Sequence, residues 1–393
     1  MKKIFDNTEI ALALKSDTEL DRAFFLFELI KKEPLVKIGA AVTKFALKAK
    51  LPVEKLIRST VFDHFCGGIN ENDCLKIINK MHSKNVCAIL DYSAEGKKED
   101  EQFDLVVQKT LKTLSYAKEN AAIPFIVFKP TGFGRFEIYQ KLTERNALND
   151  LEKVEWLSVQ DRFDRVCSKA FDHGIPVLID AEESWMQDAA DKLVEEMMEK
   201  YNKDKVIVFN TLQAYRWDRL DYLKELHQKA KTKRYKIGIK LVRGAYMEKE
   251  RERAVANGYK DPICIDKNAT DTLYNSVLNY ILGSLDDIAL FAGTHNEESS
   301  YLIMDKMREK GLSENDQRIW FGQLYGMSDH ISYNLSERGY NVAKYLPFGP
   351  VRDVMPYLIR RAEENTSVAG QTSRELFLIK KEKKRRRRIK TVH

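Results

Sequence analysis

The chain follows two hydrophobic rhythms in turn. Residues 1–80 place apolar side chains three and four apart, as in "ELDRAFFLFELIKK" and "PLVKIGAAVTKFALKAK", and this spacing predicts successive amphipathic helices. Short, unbroken apolar runs then take over: "NVCAILDY", "PFIVFKP", "PVLIDAE", "KVIVFNT", "KIGIKLVRG", "DIALFAGTH", "RIWFGQLYG" and "NVAKYLPFG". These runs are rich in Val, Ile, Leu and Phe and show no polar alternation. That composition suits strands of a parallel sheet covered on both faces. Helical stretches such as "SWMQDAADKLVEEMMEKY" separate them and supply the crossovers. Eight such units in series predict an α/β fold, a (βα)8 barrel of the TIM type. A doubly wound sheet would alternate in the same way, but its first turn usually carries G-x-G-x-x-G. Here "LDYSAEG" does not, and "TGFGRFE" has two glycines without the third.

The segment "KYLPFGPVRDVMPYLIRRAEEN" follows the eighth run. At about 100° per residue, Met355, Leu358, Ile359 and Ala362 share one face, with Tyr357, Arg360, Arg361 and Glu364 opposite. Asp353 is expected to cap this helix and Pro356 to sit in its first turn, where no amide donor is needed. The two arginines suit either solvent or a planar, bidentate clamp on a carboxylate or phosphate.

Composition narrows these choices. A chain of 393 residues with 44% hydrophobic and 32% charged residues is that of a globular protein with a sizeable core. Its net charge of +7 hints at nucleic acid until "KKEKKRRRRIK" is counted. That segment holds nine basic residues against one acid, which leaves the rest at −1. Basic character therefore belongs to a terminal stretch, and three regions are expected: helices over 1–80, the barrel over 81–375 and a basic tail over 376–393. The five cysteines form no C-x-x-C pair, and the first residues resemble neither a signal nor a transit peptide. Both point to reduced thiols in the cytoplasm, with no metal site. No apolar run approaches the roughly 18 residues of a membrane span. Walker and G-x-S-x-G sequences are missing, which removes the main support for phosphoryl transfer and serine hydrolysis.

Barrel enzymes carry their chemistry at the carboxyl ends of the strands, so polar groups at the ends of the apolar runs matter. Asp91, Lys129, Asp180, Gln213, Lys240, Arg243, His295 and Tyr345 occupy such positions. Each alone could cap a helix or fill a turn, but their recurrence favours a site.

These residues sit in "IDAEE", "TLQAY", "KLVRGAYMEKERERA", "GTHN", "FGQLYGM" and "YLPFGPV…PYLIRRAEEN". In this order the motifs resemble the proline dehydrogenase family over about residues 85–375, and the terminal "YLIRRAEEN" is the most specific of them. The resemblance implies a distorted (βα)8 flavoenzyme that oxidises L-proline to Δ1-pyrroline-5-carboxylate and passes electrons to a membrane quinone. No stretch is long enough for the aldehyde dehydrogenase module of bifunctional members, so a monofunctional member is expected. By the same resemblance Arg360 and Arg361 clamp the substrate carboxylate, Lys129 adds a third positive charge and Asp180 balances that cluster. Tyr345 and Tyr357 wall the pocket, and Leu324 packs on the ring. FAD is expected at Gln213, Lys240, Val242, Arg243, Gly244, Ala245, Tyr246, Thr294, His295, Asn296 and Glu364, and Glu95 resembles a gating acid. Two positions depart from the family pattern: some members exchange the Lys and Arg found here at 240 and 243, and Tyr325 stands where others have histidine.

The chemistry suits these residue types. The flavin accepts the hydride equivalent, while the protein supplies orientation and charge. Cations over the carboxylate offset its desolvation, and aromatic walls shape the pocket. Tyr345 is expected to crowd a ring hydroxyl and so to favour proline over 4-hydroxyproline. The basic tail is expected either to be solvated or to hold the enzyme on the inner face of the cytoplasmic membrane near quinone. Transient contact with a separate pyrroline-5-carboxylate dehydrogenase is a further expectation. Two other readings stand beside this one: a methylenetetrahydrofolate reductase-like flavin barrel, and a nucleic-acid or scaffold protein acting through its tail. The near-neutral body argues against nucleic acid.

Overall fold

The computed structural model describes residues 3–32, 57–92, 100–367 and 371–392, with isolated positions 34 and 39; for 59, 362–367, 371 and 392 it gives the backbone alone. All eight apolar runs form strands: β1 (Val86–Tyr92), β2 (Ile126–Phe128), β3 (Val177–Ile179), β4 (Val208–Gln213), β5 (Ile237–Val242), β6 (Ile288–Gly293), β7 (Ile319–Leu324) and β8 (Val342–Phe348). The sheet order is β1-β8-β7-β6-β5-β4-β3-β2, which is the (βα)8, TIM-type α/β class. The helices used below are α1 (Asp17–Ile30), α2 (Glu71–His82), α3 (Asp100–Glu119), α4 (Asp150–His173), α5 (Ser184–Tyr201), α6 (Arg219–Lys233), α7 (Lys267–Gly283), α8 (Glu297–Glu309), α9 (Asp329–Ser336), α10 (Val351–Ser367) and α11 (Gln371–Val392). Most of the segment "PLVKIGAAVTKFALKAK" lies outside the described residues.

Local chemistry sets the ends of these elements. Ser16 and Glu19 close a reciprocal capping box on α1, and Asn149 and Glu152 do the same on α4. Gly174 ends α4 at φ +65°, a backbone region that glycine enters without steric cost.

The chain divides into two compact units, residues 96–322 and residues 1–95 with 323–393. The basic C-terminal segment falls in the same unit as residues 1–95.

In the unit of residues 96–322, β3, β4 and β5 pair in parallel register, with Val177 opposite Val208 and Thr211 opposite Lys240. Every residue of β4 is buried, including its polar ones. Their burial is tolerable because each has a partner. Asn210 donates to Asp191 on α5 (2.9 Å), Thr211 to the Ile179 carbonyl (2.8 Å) and Gln213 to the Glu182 carbonyl (3.2 Å). Asp191 also accepts from Arg219 of α6 (2.9 Å), so one carboxylate joins two crossover helices to a strand.

In the other unit β1 and β8 pair, with Ile89 opposite Tyr345. One apolar core joins Leu20 and Phe27 of α1, Val354, Met355, Tyr357, Leu358 and Ile359 of α10, and Leu376 and Ile379 of α11. Helix α10 differs from its sequence expectation. It starts at Val351, because the Pro350 carbonyl accepts from the amides of Asp353 and Val354. Asp353 is thus an acid of the first turn rather than the cap, and Pro356 falls inside the helix. The supposed polar face is also partly buried: Tyr357 and Arg361 are 7% and 8% exposed.

The basic tail is helical as well. Leu376, Leu378, Ile379 and Glu382 of α11 are buried. Arg386 bonds Asp17, Lys383 bonds Asp21 and Lys390 bonds Asp17, so much of its charge meets the acids of α1.

Candidate active site

Three strand ends in residues 96–322 converge on one carboxylate. Lys129 follows β2, Asp180 follows β3 and Lys240 lies within β5. Parallel pairing carries all three to the same edge of the sheet, and the Asp180 amide extends the β2–β3 ladder by donating to the Phe128 carbonyl (2.9 Å). Lys129 Nζ lies 3.1 Å from Asp180 Oδ2 and Lys240 Nζ 2.5 Å from Oδ1. Burial pushes the Asp180 carboxyl up, but the Lys240 and Lys129 ammoniums outweigh burial and hold it below the usual carboxylate range. Asp180 thus holds two ammoniums side by side, one on each carboxylate oxygen.

Next along the sheet lies a set of donors and turns. Arg243, just after β5, donates to Asp271 (2.7 Å), Thr294 (2.9 Å) and Ser299 (3.1 Å) and stacks 4.2 Å from the Tyr274 ring centroid. A guanidinium has five donors, and these bonds use three of them. Thr294 also accepts from the Asn296 amide (3.1 Å), and Asn296 caps α8 by accepting from Ser299 (3.0 Å). Gly244 has φ +125°, and a Cβ there would fall 2.4 Å from the Tyr215 ring, so close packing at this turn requires glycine. Val242 and Tyr246 flank the turn and are half-buried, Ala245 is exposed, and His295 follows β6 half-buried.

Sequence reasoning missed Glu182, which is 6% exposed. Its carboxylate accepts from the Thr131 amide (3.0 Å) and hydroxyl (2.7 Å), fixing the turn that follows Lys129. Burial pushes it up to about 7. Its place in "IDAEE", two residues after Asp180, was the available signal.

In the unit of residues 1–95 and 323–393, Tyr345 of β8 is buried and its carbonyl accepts from the Tyr325 amide (2.8 Å). On α10 the Arg361 guanidinium lies 5.3 Å from the Tyr357 ring centroid, and Arg360 beside it is half-buried. Leu324, at the end of β7, packs partly buried against the core of this unit. Glu95 lies outside the described residues, as does the side chain of Glu364.

A second aspartate held by two lysines was also missed. Asp329, the first residue of α9, meets Lys344 of β8 at 2.8 Å and Lys15 at 3.1 Å. Lys344 is fully buried. The two ammoniums hold the Asp329 carboxyl far below the usual range against its burial. No motif announces this cluster, because Lys15 comes from a segment with no fixed phase to the strands.

Comparison with known proteins places the chain. The profile of the family described as proline dehydrogenase matches residues 74–374. The carbapenem antibiotics biosynthesis protein CarD of Pectobacterium carotovorum subsp. carotovorum is 37% identical over 329 residues, covering 84% of this chain and 85% of that protein. Proline dehydrogenase 1, mitochondrial, of Dictyostelium discoideum is 30% identical over 421 residues, covering 95% of this chain and 73% of the relative. The human protein of the same name is 40% identical over 231 residues, of which this chain spans only 38% of the relative's length. Among solved structures, proline utilization A from Bdellovibrio bacteriovorus, inactivated by N-propargylglycine, superposes with a TM-score of 0.71. It is 19% identical over 94% of this chain and 37% of that chain, a likeness of fold. The chain belongs to the proline dehydrogenase family.

Proposed function

We propose that this protein oxidises L-proline to Δ1-pyrroline-5-carboxylate with FAD as the resident cofactor and a membrane quinone as the final acceptor. The observation that carries the reading is the Lys129–Asp180–Lys240 cluster, set at strand ends within the span matched by the family.

The donor set after β4, β5 and β6 fits a flavin dinucleotide. It offers an amide at Gln213, cations at Lys240 and Arg243 and a hydroxyl at Thr294, together with the tight turn at Gly244. A dinucleotide carries a diphosphate and a polar ring edge, both of which take donors and positive charge. Val242, Ala245, Tyr246, His295, Asn296 and Glu364 complete the assignment. FAD, when bound, supplies the two-electron acceptor. The chain's own part is to orient the substrate: Arg360 and Arg361 bind its carboxylate, Lys129 adds positive charge, and Asp180 keeps Lys129 and Lys240 in place. Tyr345, Tyr357 and Leu324 bound the ring and exclude water, and Glu95 gates access. Holding a rigid ring this way can lower the barrier by several kcal/mol.

No described helix is long and apolar enough to cross a membrane. Contact with a cytoplasmic membrane surface is assigned instead to the outward stripe of α11, where Lys384, Arg387 and Arg388 are exposed one helical turn apart. Each cation gains on the order of 1 kcal/mol near an anionic surface. Liposome co-sedimentation of the wild type against a triple glutamine variant tests it, and equal binding would dismiss the assignment. Hand-over of product to a separate pyrroline-5-carboxylate dehydrogenase completes a catabolic role.

The deciding measurement is the visible spectrum before and after anaerobic L-proline. Bleaching of a bound flavin by proline is expected; bleaching by NADH alone would overturn the reading. The name of the CarD relative favours a second use of the same oxidation, supply of the cyclic imine to a biosynthetic route. Growth of a deletion strain on proline as nitrogen source separates the two, since only the catabolic role requires the gene.

A further inference from the structure

We infer that Lys15 and Glu375, both outside the residues matched by the family, are positioning residues that set the turn after β7 and thereby Leu324. The inference rests on the proposed reading in which Leu324 packs on the substrate ring.

The turn from Leu324 to Asp329 uses costly backbone. Gly326 has φ +80°, with space for a Cβ closed by the His64 carbonyl at 2.3 Å. Ser328 adopts φ +51° without being glycine. A residue in the left-handed region persists only where its surroundings impose it. Three side chains do so here. Lys344 Nζ donates to the Met327 carbonyl at 2.7 Å and reaches the Leu324 carbonyl at 3.4 Å, while its third contact is Asp329 at 2.8 Å. Lys15 takes the other oxygen of Asp329 at 3.1 Å. Glu375, on α11, accepts from the Ser328 amide at 2.7 Å, directly at the strained residue.

Both ends of the chain therefore reach the turn, and they are fastened to each other: Arg386 of α11 donates to the carbonyls of Lys15 (2.9 Å) and Leu12 (2.9 Å). Lys344 adjoins Tyr345 in β8, so the same cluster also bears on a second proposed wall of the pocket. Removing Lys15 leaves Asp329 with one partner and lets Lys344 recentre on it, away from the two carbonyls that it holds.

The test uses full-length, flavin-loaded protein with Lys15→Met, Lys15→Arg, Glu375→Met and Glu375→Gln. Lys15→Met is expected to raise KM for L-proline by about tenfold with kcat within about twofold and flavin content retained, since small misplacement of a contact acts on substrate fit. Lys15→Arg restores KM to near wild type; Glu375→Met, which removes the acceptor of the Ser328 amide, raises it in the same direction, and Glu375→Gln, whose amide oxygen still accepts, does not. A fall in thermal stability with KM unchanged in both Lys15→Met and Glu375→Met would overturn the inference, leaving a structural role alone. Glu375→Met decides the matter if Lys15→Met does not fold. Wild-type protein whose flavin proline does not reduce overturns both this inference and the proposed function. Wild type that reacts, with Lys15→Met and Glu375→Met of unchanged KM, overturns the inference alone.

Discussion

Asp180 and Asp329 are each gripped by two lysines, yet the two clusters are built differently. Around Asp180 the cations come from one level of the parallel sheet, Lys129 just after β2 and Lys240 within β5 across β4, and the geometry follows from strand register. Around Asp329 they come from β8 and from residue 15, and Lys344 also holds two backbone carbonyls. The first arrangement gathers two cations and a carboxylate at the sheet edge where we propose that ligands bind. The second uses the same atoms to fix a turn. An identical ionic motif therefore has a different consequence according to what else its cations touch.

The strongest way to break the comparison is to remove each aspartate. Losing one partner of a buried, bonded ion pair costs about 3–5 kcal/mol, because the remaining charges stay desolvated. Asp329→Ala is expected to show most of that loss as a lower Tm, since Lys344 is fully enclosed. Asp180→Ala is expected to lower kcat/KM for proline by about a hundredfold or more, equivalent to about 3 kcal/mol, with a smaller fall in Tm. Reversed outcomes in calorimetry and steady-state kinetics would exchange the two roles.

That contrast also explains what was legible in the sequence. All eight strands could be read because a run such as "KIGIKLVRG" has only one comfortable place, a sheet covered on both sides. Lys129, Asp180 and Lys240 could be read as polar groups of one sheet edge, but the pairing of Lys240 with Asp180 could not, because the resemblance assigns Lys240 to the flavin and side-chain reach across β4 has no sequence signal. Helix α10 was misread at its start, since a proline carbonyl at 350 opens the helix before the acid that looks like a cap. Its buried Tyr357 sits in a core shared with α1 and α11, which a helical wheel does not contain. The contacts of Lys15 with Asp329 and of Arg386 with Asp17 span more than 300 residues, and that of Glu375 with Ser328 spans 47, with no periodicity to reveal them.

Proton linkage sharpens the comparison next. Asp180 and Asp329 have carboxyl pKa values held below the usual range by their lysines, so their stabilisation is complete above the unfolded value of about 4 and is lost as pH falls towards the folded value. Glu182 has the opposite sign. Its folded value of about 7 lies above the unfolded one, so stability that it provides at low pH is lost as pH rises through 7. Glu182→Gln removes that penalty, and the variant is expected to gain on the order of 2–3 kcal/mol relative to wild type between pH 5 and pH 8. Denaturant melts at the two pH values measure it; parallel pH profiles would mean that Glu182 stays ionised throughout.

The smallest effects lie on α11 and test whether its charges divide as its contacts do. Arg386 bonds Asp17 at 2.9 Å, Glu382 at 2.8 Å and two carbonyls of the N-terminal segment. Arg387 is exposed. Arg386→Ala removes hydrogen bonds from a partly buried guanidinium and is expected to cost about 1–2 kcal/mol, whereas Arg387→Ala should stay within about 0.5 kcal/mol. Adding 0.5 M salt should shrink the first cost only modestly, because its short bonds are partly shielded from solvent, and should leave the second unchanged. Equal costs for the two would mean that the basic segment acts through its summed charge rather than through contacts with the N-terminal helices.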